Sequence, residues 1–110
     1  MIDIKTLKQY PLSFKLLEQW VEQKHTTSLA LLLDKVTNEE LVEFLDEQRL
    51  YVMIFVYYGQ IERFRWAVSS IVPPDYVSNG ANNTLSTRRE ATEAAIQKAF
   101  ELLEQKLKVN

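Results

Sequence analysis

The apolar positions change period along the chain, and each change marks a new element. From Ser13 onward Leu16, Leu17, Trp20 and Val21 recur at the three-to-four spacing of one helix face, which predicts a first helix starting near Ser13, just past Pro11. Thr26, Thr27 and Ser28 break the pattern and end that helix, and Ser28 is placed to cap a short second one over Leu29–Lys35. Thr37 and Glu40 have capping-box spacing, in which hydroxyl and carboxylate each satisfy one free amide at a helix start. The third helix then carries Leu41, Val42, Phe44 and Leu45 as its apolar stripe. Asp46 and Glu47 fall at its C-terminal end, where acids oppose the helix dipole and the end must be weak or held by neighbours.

Between Leu50 and Val72 the period becomes alternating, in a run rich in Tyr, Val, Ile, Phe and Trp that suits a pleated surface. A two-residue turn at Gly59-Gln60 pairs residues whose numbers add to 119. That register predicts Phe55 opposite Phe64, Met53 opposite Trp66 and Tyr51 opposite Val68 on one face. The other face then holds Val56 opposite Arg63, Ile54 opposite Arg65 and Val52 opposite Ala67. Phe55, Phe64 and Trp66 are expected in the core. Pro73-Pro74 ends the second strand, because neither residue can donate to a ladder.

The stretch from Asp75 to Ser86 has one charge, three Asn and an Asn79-Gly80 turn signal. It is expected to form a long loop or to hold a short third strand around Asn83–Leu85. Thr87 and Glu90 form a second capping-box pattern ahead of a closing helix with Ala91, Ala95, Ala99, Leu102, Leu103 and Leu107 on one face. Its small first half suits close approach to a sheet. The expected fold is one α+β domain over residues 1–110, with N-terminal helices, an antiparallel β-hairpin or small sheet, and a long C-terminal helix packed on the sheet.

Composition narrows the chemistry. A hydrophobic fraction of 46% with 25% charged residues is that of a soluble globular chain. No apolar run approaches the roughly 20 residues of a membrane helix, and the Met1 region has no signal-peptide core, so a cytoplasmic protein is expected. The absence of cysteine excludes a thiolate nucleophile and cysteine-ligated metals, and a single histidine, His25, excludes multi-histidine sites. The two glycines, Gly59 and Gly80, open no phosphate-binding helix. His25, beside Lys24 and two threonines, reads as a solvated or capping residue. Catalytic residues, cofactors and metals are therefore not expected, and the chain reads as non-enzymatic.

The net charge is −2, and the acid excess is local: Asp34, Glu39, Glu40, Glu43, Asp46 and Glu47 lie within residues 28–50 against Lys35 and Arg49. Their spacing is that of a solvated helix face. Candidate contact residues for a protein partner, or for self-association, are Tyr57 and Tyr58 near the hairpin tip and Tyr76 in the long loop, since tyrosine offers a rigid amphipathic surface. The alternative is anion or nucleic-acid binding through Arg63, Arg65, Arg88 and Arg89, which requires all four to converge on one surface. A pI near 5.4 weighs against nucleic acid.

The run from Ser86 through Leu103, preceded by an aromatic-rich hairpin, resembles the ending of small uncharacterised proteins of Bacteroides-type bacteria and their phages or mobile elements. The resemblance covers roughly residues 41–107. It implies a source and a fold style, and it assigns no activity or residue role. The same run looks like the last helix of double-stranded-RNA-binding domains, whose order is helix, three strands, helix, with Arg88, Arg89 and Lys98 at basic positions. Thr92 and Glu93 stand where that pattern has lysines, and the Gly-Pro-x-His loop is absent.

Overall fold

The computed structural model describes residues 2–25, 36–58, 62–71, 74–78 and 84–109. A single turn, α1 (Ile4–Leu7), opens on Asp3, whose carboxylate accepts from the Lys5 amide at 2.9 Å. The next helix, α2 (Pro11–His25), begins at Pro11, two residues before the expected Ser13. Proline is at home there because the first helical amide has no intrahelical acceptor to lose. The helix expected over Leu29–Lys35 lies outside the described residues.

The third helix, α3 (Asn38–Glu47), has the complete capping box. The Glu40 amide donates to Thr37 Oγ1 at 3.2 Å and the Thr37 amide to Glu40 Oε1 at 3.4 Å. Its C-terminal end is held by a neighbour, as its acids require: the Trp20 indole N–H donates to the Glu47 carboxylate. Arg49, at φ 62°, turns the chain into the sheet.

The sheet has three antiparallel strands in the order β1-β2-β3, formed by β1 (Leu50–Tyr58), β2 (Glu62–Ile71) and β3 (Pro74–Ser78). The expected hairpin register is off by one residue. Tyr58 pairs with Glu62, Val56 with Phe64, Ile54 with Trp66 and Val52 with Val68, so three residues separate the strands where two were expected. A one-residue shift sends every β1 side chain to the opposite face. Leu50, Val52 and Ile54 now join Phe64, Trp66 and Val68 on the core side, and Phe55, expected in the core, is 45% exposed on the other. Arg63 and Arg65 face Tyr57 and Phe55 rather than Val56 and Ile54.

The third strand is also placed differently. It occupies 74–78, so Asp75–Ser78 of the stretch read as loop are strand, and Pro74, read as a strand end, is its first residue, paired with Ile71, where a missing N–H is tolerated. Leu85 adds a bridge to Phe64, with both backbone hydrogen bonds at 2.8 Å.

The closing helix α4 (Arg88–Val109) crosses β1 and β2 on the side of α2 and α3. Its buried Ala91, Ala95 and Ala99 allow that approach. At its start the Glu90 amide donates to Thr87 Oγ1 at 3.1 Å, while the Glu90 carboxylate accepts from the Ser86 hydroxyl at 3.2 Å. The fold is thus α+β, with a long C-terminal helix packed on a small antiparallel sheet. Phe44 of α3 ties the helices together, its ring centroid 5.9 Å from Trp20 of α2 and 5.7 Å from Phe100 of α4.

One buried carboxylate is structural. Glu104 of α4 accepts from the Ser13 amide at 2.9 Å and the Leu12 amide at 3.3 Å, and Ser13 Oγ lies 3.2 Å from it. These are free amides of the first turn of α2, so a side chain 91 residues away does the work of an N-cap, with its charge at the positive end of the helix dipole.

Two outcomes follow. Phe44→Ala costs about 3–5 kcal/mol in a denaturant melt, whereas Phe55→Thr changes stability by less than about 0.5 kcal/mol; comparable losses would return Phe55 to the core. Glu104→Ala, which strands two amides, costs about 2 kcal/mol or more, and Glu104→Gln, which keeps one of the two acceptor oxygens, costs less. Equal losses from the two would mean that a single acceptor oxygen does not serve this helix start.

Candidate functional site

Strand alternation gives the sheet two unlike faces. Even-numbered positions of β1 and β2 meet the helices. The odd-numbered ones point away, and with Tyr76 and Ser78 of β3 they form the open face. It is ordered in rows across the strands: Tyr51, Ser69 and Tyr76; Met53, Ala67 and Ser78; Phe55 and Arg65; Tyr57 and Arg63. Ser69 of the central strand thus lies between Tyr51 and Tyr76, and Ala67 between Met53 and Ser78. Tyr76 is 58% exposed and Phe55 45%.

The electrostatics of this face are one-sided. Its described strand positions hold Arg63 and Arg65 and no carboxylate. Neither arginine meets an acid among the described residues, and Arg65 Nε is buried without a hydrogen-bond partner. A buried donor left unpaired costs about 1–3 kcal/mol, more where it is charged. An acceptor recovers that energy only where the side chain turns Nε toward it, and guanidinium is suited to hold a carboxylate or phosphate by paired hydrogen bonds.

The candidates read from sequence separate. Tyr57 and Tyr58 are neighbours in one strand, so they take opposite sides of it; Tyr57 holds an open-face position and Tyr58 a helix-side position. Tyr76 belongs to the open face, in a strand rather than in the expected loop. The four arginines do not converge. Arg63 and Arg65 lie on the open face, whereas the Arg88 guanidinium sits 5.4 Å over the ring of Phe64, which faces the helices. Arg89 lies beside Glu93, at 3.8 Å, and Lys98 beside Glu101, at 3.2 Å. The helix, three strands, helix order is present from α3 to α4, but the basic residues of that resemblance start a different surface from the sheet arginines.

Sequence reasoning missed Tyr51, Met53 and Phe55 as surface residues. The available signal was the even set Leu50, Val52, Ile54 and Val56, uniformly aliphatic and suited to packing under helices. His25 closes α2, and the described residues hold no group of three or more potential metal ligands. Among the described residues no helix is long and apolar enough to cross a membrane.

The acids of α3 are only partly a solvated face. Glu43 accepts from Lys24 of α2, whose ammonium also lies 4.8 Å from the Trp20 ring centroid, and Glu47 is held by Trp20. Asp46 is left at the negative helix end. Partial desolvation raises its carboxyl above the ordinary value, and the charge of Glu43 raises it further.

Searches against family models, curated proteins and solved structures found no match to this chain.

A carboxyl with a raised pKa in the fold holds its proton more tightly there than in the unfolded chain. The penalty is therefore full above the folded pKa and vanishes as pH falls below the unfolded one. Asp46→Asn is expected to raise the melting temperature at neutral pH, by an amount equivalent to about 0.3–1 kcal/mol for relief at a helix end. The gain should disappear on titration through the carboxylate range, and a pH-independent gain would exclude the charge as its cause.

Proposed function

We propose that this protein is a non-enzymatic cytoplasmic binding module that holds an acidic segment of a partner protein against the open face of its sheet. The observation that carries this reading is Arg65, whose buried Nε lacks an acceptor on a face that has Arg63 and no described carboxylate. Phe55, Tyr51 and Tyr76 supply the apolar part of the contact, as aromatic anchors do at protein interfaces. An occupant with a carboxylate near Arg63 and Arg65 and an apolar residue over Met53 and Phe55 satisfies both halves. Of the tyrosines singled out from sequence, Tyr57 and Tyr76 belong to this surface by register and Tyr58 does not. The likeness of the C-terminal half to proteins of Bacteroides-type bacteria and their phages or mobile elements supplies a setting for such a module.

A single-stranded nucleic acid is the second reading, favoured by the combination of aromatics and arginines on one sheet face, where bases stack and phosphates pair. The protein reading is preferred because the chain is acidic overall and Arg88 and Arg89 lie on another surface.

A random-peptide display selection at about 150 mM salt, run beside a titration with single- and double-stranded oligonucleotides, separates the two. Enriched peptides are expected to carry Asp or Glu next to an apolar residue. Their binding should fall about tenfold or more in Arg65→Ala and in Tyr76→Ala, with both variants still folding cooperatively and Arg65→Ala no less stable than the unaltered chain. Enrichment without acids would overturn the proposal, and micromolar oligonucleotide binding lost in Arg65→Ala would replace it with the nucleic-acid reading.

A further inference from the structure

The two edges of the sheet are built differently. The β3 edge is short, five residues, and begins with Pro74 and Asp75, the residue types that discourage another strand from pairing. The β1 edge runs nine residues, Leu-Tyr-Val-Met-Ile-Phe-Val-Tyr-Tyr, with no charge, no proline and no break in its pairing to β2. A long uncharged edge is a template for another strand.

The backbone direction along this edge can be derived. Phe64 exchanges both hydrogen bonds with Leu85, so its N–H and C=O point away from β1. Alternation then turns those of Arg63, Arg65, Ala67 and Ser69 toward β1, where they meet Tyr57, Phe55, Met53 and Tyr51. The remaining β1 residues, Leu50, Val52, Ile54, Val56 and Tyr58, direct their N–H and C=O to the outer edge. No described residue bonds to them there.

We infer that the β1 edge pairs with the β1 edge of a second copy of this chain, antiparallel and about a two-fold axis at Ile54. In the register that overlaps the whole strand, Ile54 meets Ile54, Val52 meets Val56 and Leu50 meets Tyr58, and these are the residues with outward backbone groups. On the open face Met53 meets Phe55 and Tyr51 meets Tyr57. Every contact sets an apolar residue against an apolar one, and no like charges meet. Self-complementarity of this kind is what a two-fold interface requires. The product is one continuous sheet of six strands, twice the three of a single copy, whose helices share one side and whose open faces join on the other. This pairing rests on backbone groups of the edge and needs no acidic partner, although Tyr51 and Phe55 also belong to the face proposed for one.

The test is sedimentation of the full chain over a wide concentration range, together with amide hydrogen exchange read by NMR. A dimer is expected, with the amides of Val52, Ile54 and Val56 gaining protection in step with its population and those of Met53 and Phe55 protected throughout. Phe55→Glu should weaken association about tenfold, and adding Met53→Lys should restore it, because the two positions face each other across the axis. A chain that stays monomeric, a dimer that leaves those three amides unprotected, or a double variant without rescue would each overturn the inference. The exchange measurement on the unaltered chain decides the matter even where a variant folds poorly.

Discussion

Every β1 side chain takes its side of the sheet from the pairing of Tyr58 with Glu62. Because strand side chains alternate, that single register decides which half of Leu50–Tyr58 packs under the helices and which half meets the surroundings. Aliphatic Leu50, Val52 and Ile54 go to the core with Val68, where Ala95, Ile96 and Ala99 of α4 come down on the same cluster. Small and branched residues allow helix and sheet to approach closely. With the large rings of Phe64 and Trp66 already on that side, Tyr51, Met53 and Phe55 take the open one. The functional face is thus what remains once packing has selected the better half of β1.

The helical layer has its own long-range constraint. The first turn of α2 is anchored to Glu104 near the other end of the chain, and the last turn of α3 to Trp20 of α2. Both bonds place a carboxylate on a donor that the local sequence leaves unserved. Together with Phe44 between Trp20 and Phe100, they fix α2, α3 and α4 into one layer against one face of the sheet. That arrangement puts Glu43 and Glu47 of α3 in the helical layer, opposite the side to which Arg63 and Arg65 point. Separation of charge in a chain of net charge −2 therefore follows from how the layers are tied.

Most of the element order could be read from the chain, because it rests on local chemistry. The box at Thr37 and Glu40, the helix start at Thr87 and the Ala-rich face of α4 are short-range patterns with short-range causes. The register was not legible in the same way. β1 is apolar on both faces, so alternation of polarity gives no sign of its inward side, and the register read from a two-residue turn at Gly59-Gln60 had no polar residue of β1 to contradict it. Nor could Pro74 in a strand be expected until β2 was seen to supply an edge beside it. Glu104 was hidden for a different reason: its partners lie some 90 residues away, at 12 and 13, and no spacing rule connects them. Of the candidate site, Tyr76, Tyr57, Arg63 and Arg65 were in view from sequence, but only the sheet shows that they share a face and that Arg88 and Tyr58 do not join it.

One strand carries both proposed interactions, and the reason is physical. A β-strand has two faces and two edges, and β1 commits one face to the helices and one edge to β2. The remaining face and edge are apolar and uncharged over nine residues, a combination that in an isolated chain promotes indiscriminate pairing. The chain could have been protected by a single lysine at position 53 or 55, as the β3 edge is by Pro74 and Asp75. Its absence costs solubility unless the strand has a regular occupant on each remaining side. An edge satisfied by an identical strand and a face satisfied by an acidic segment leave no part of β1 unpaired, and they do so without competing, since one uses backbone groups in the plane of the sheet and the other side chains above it.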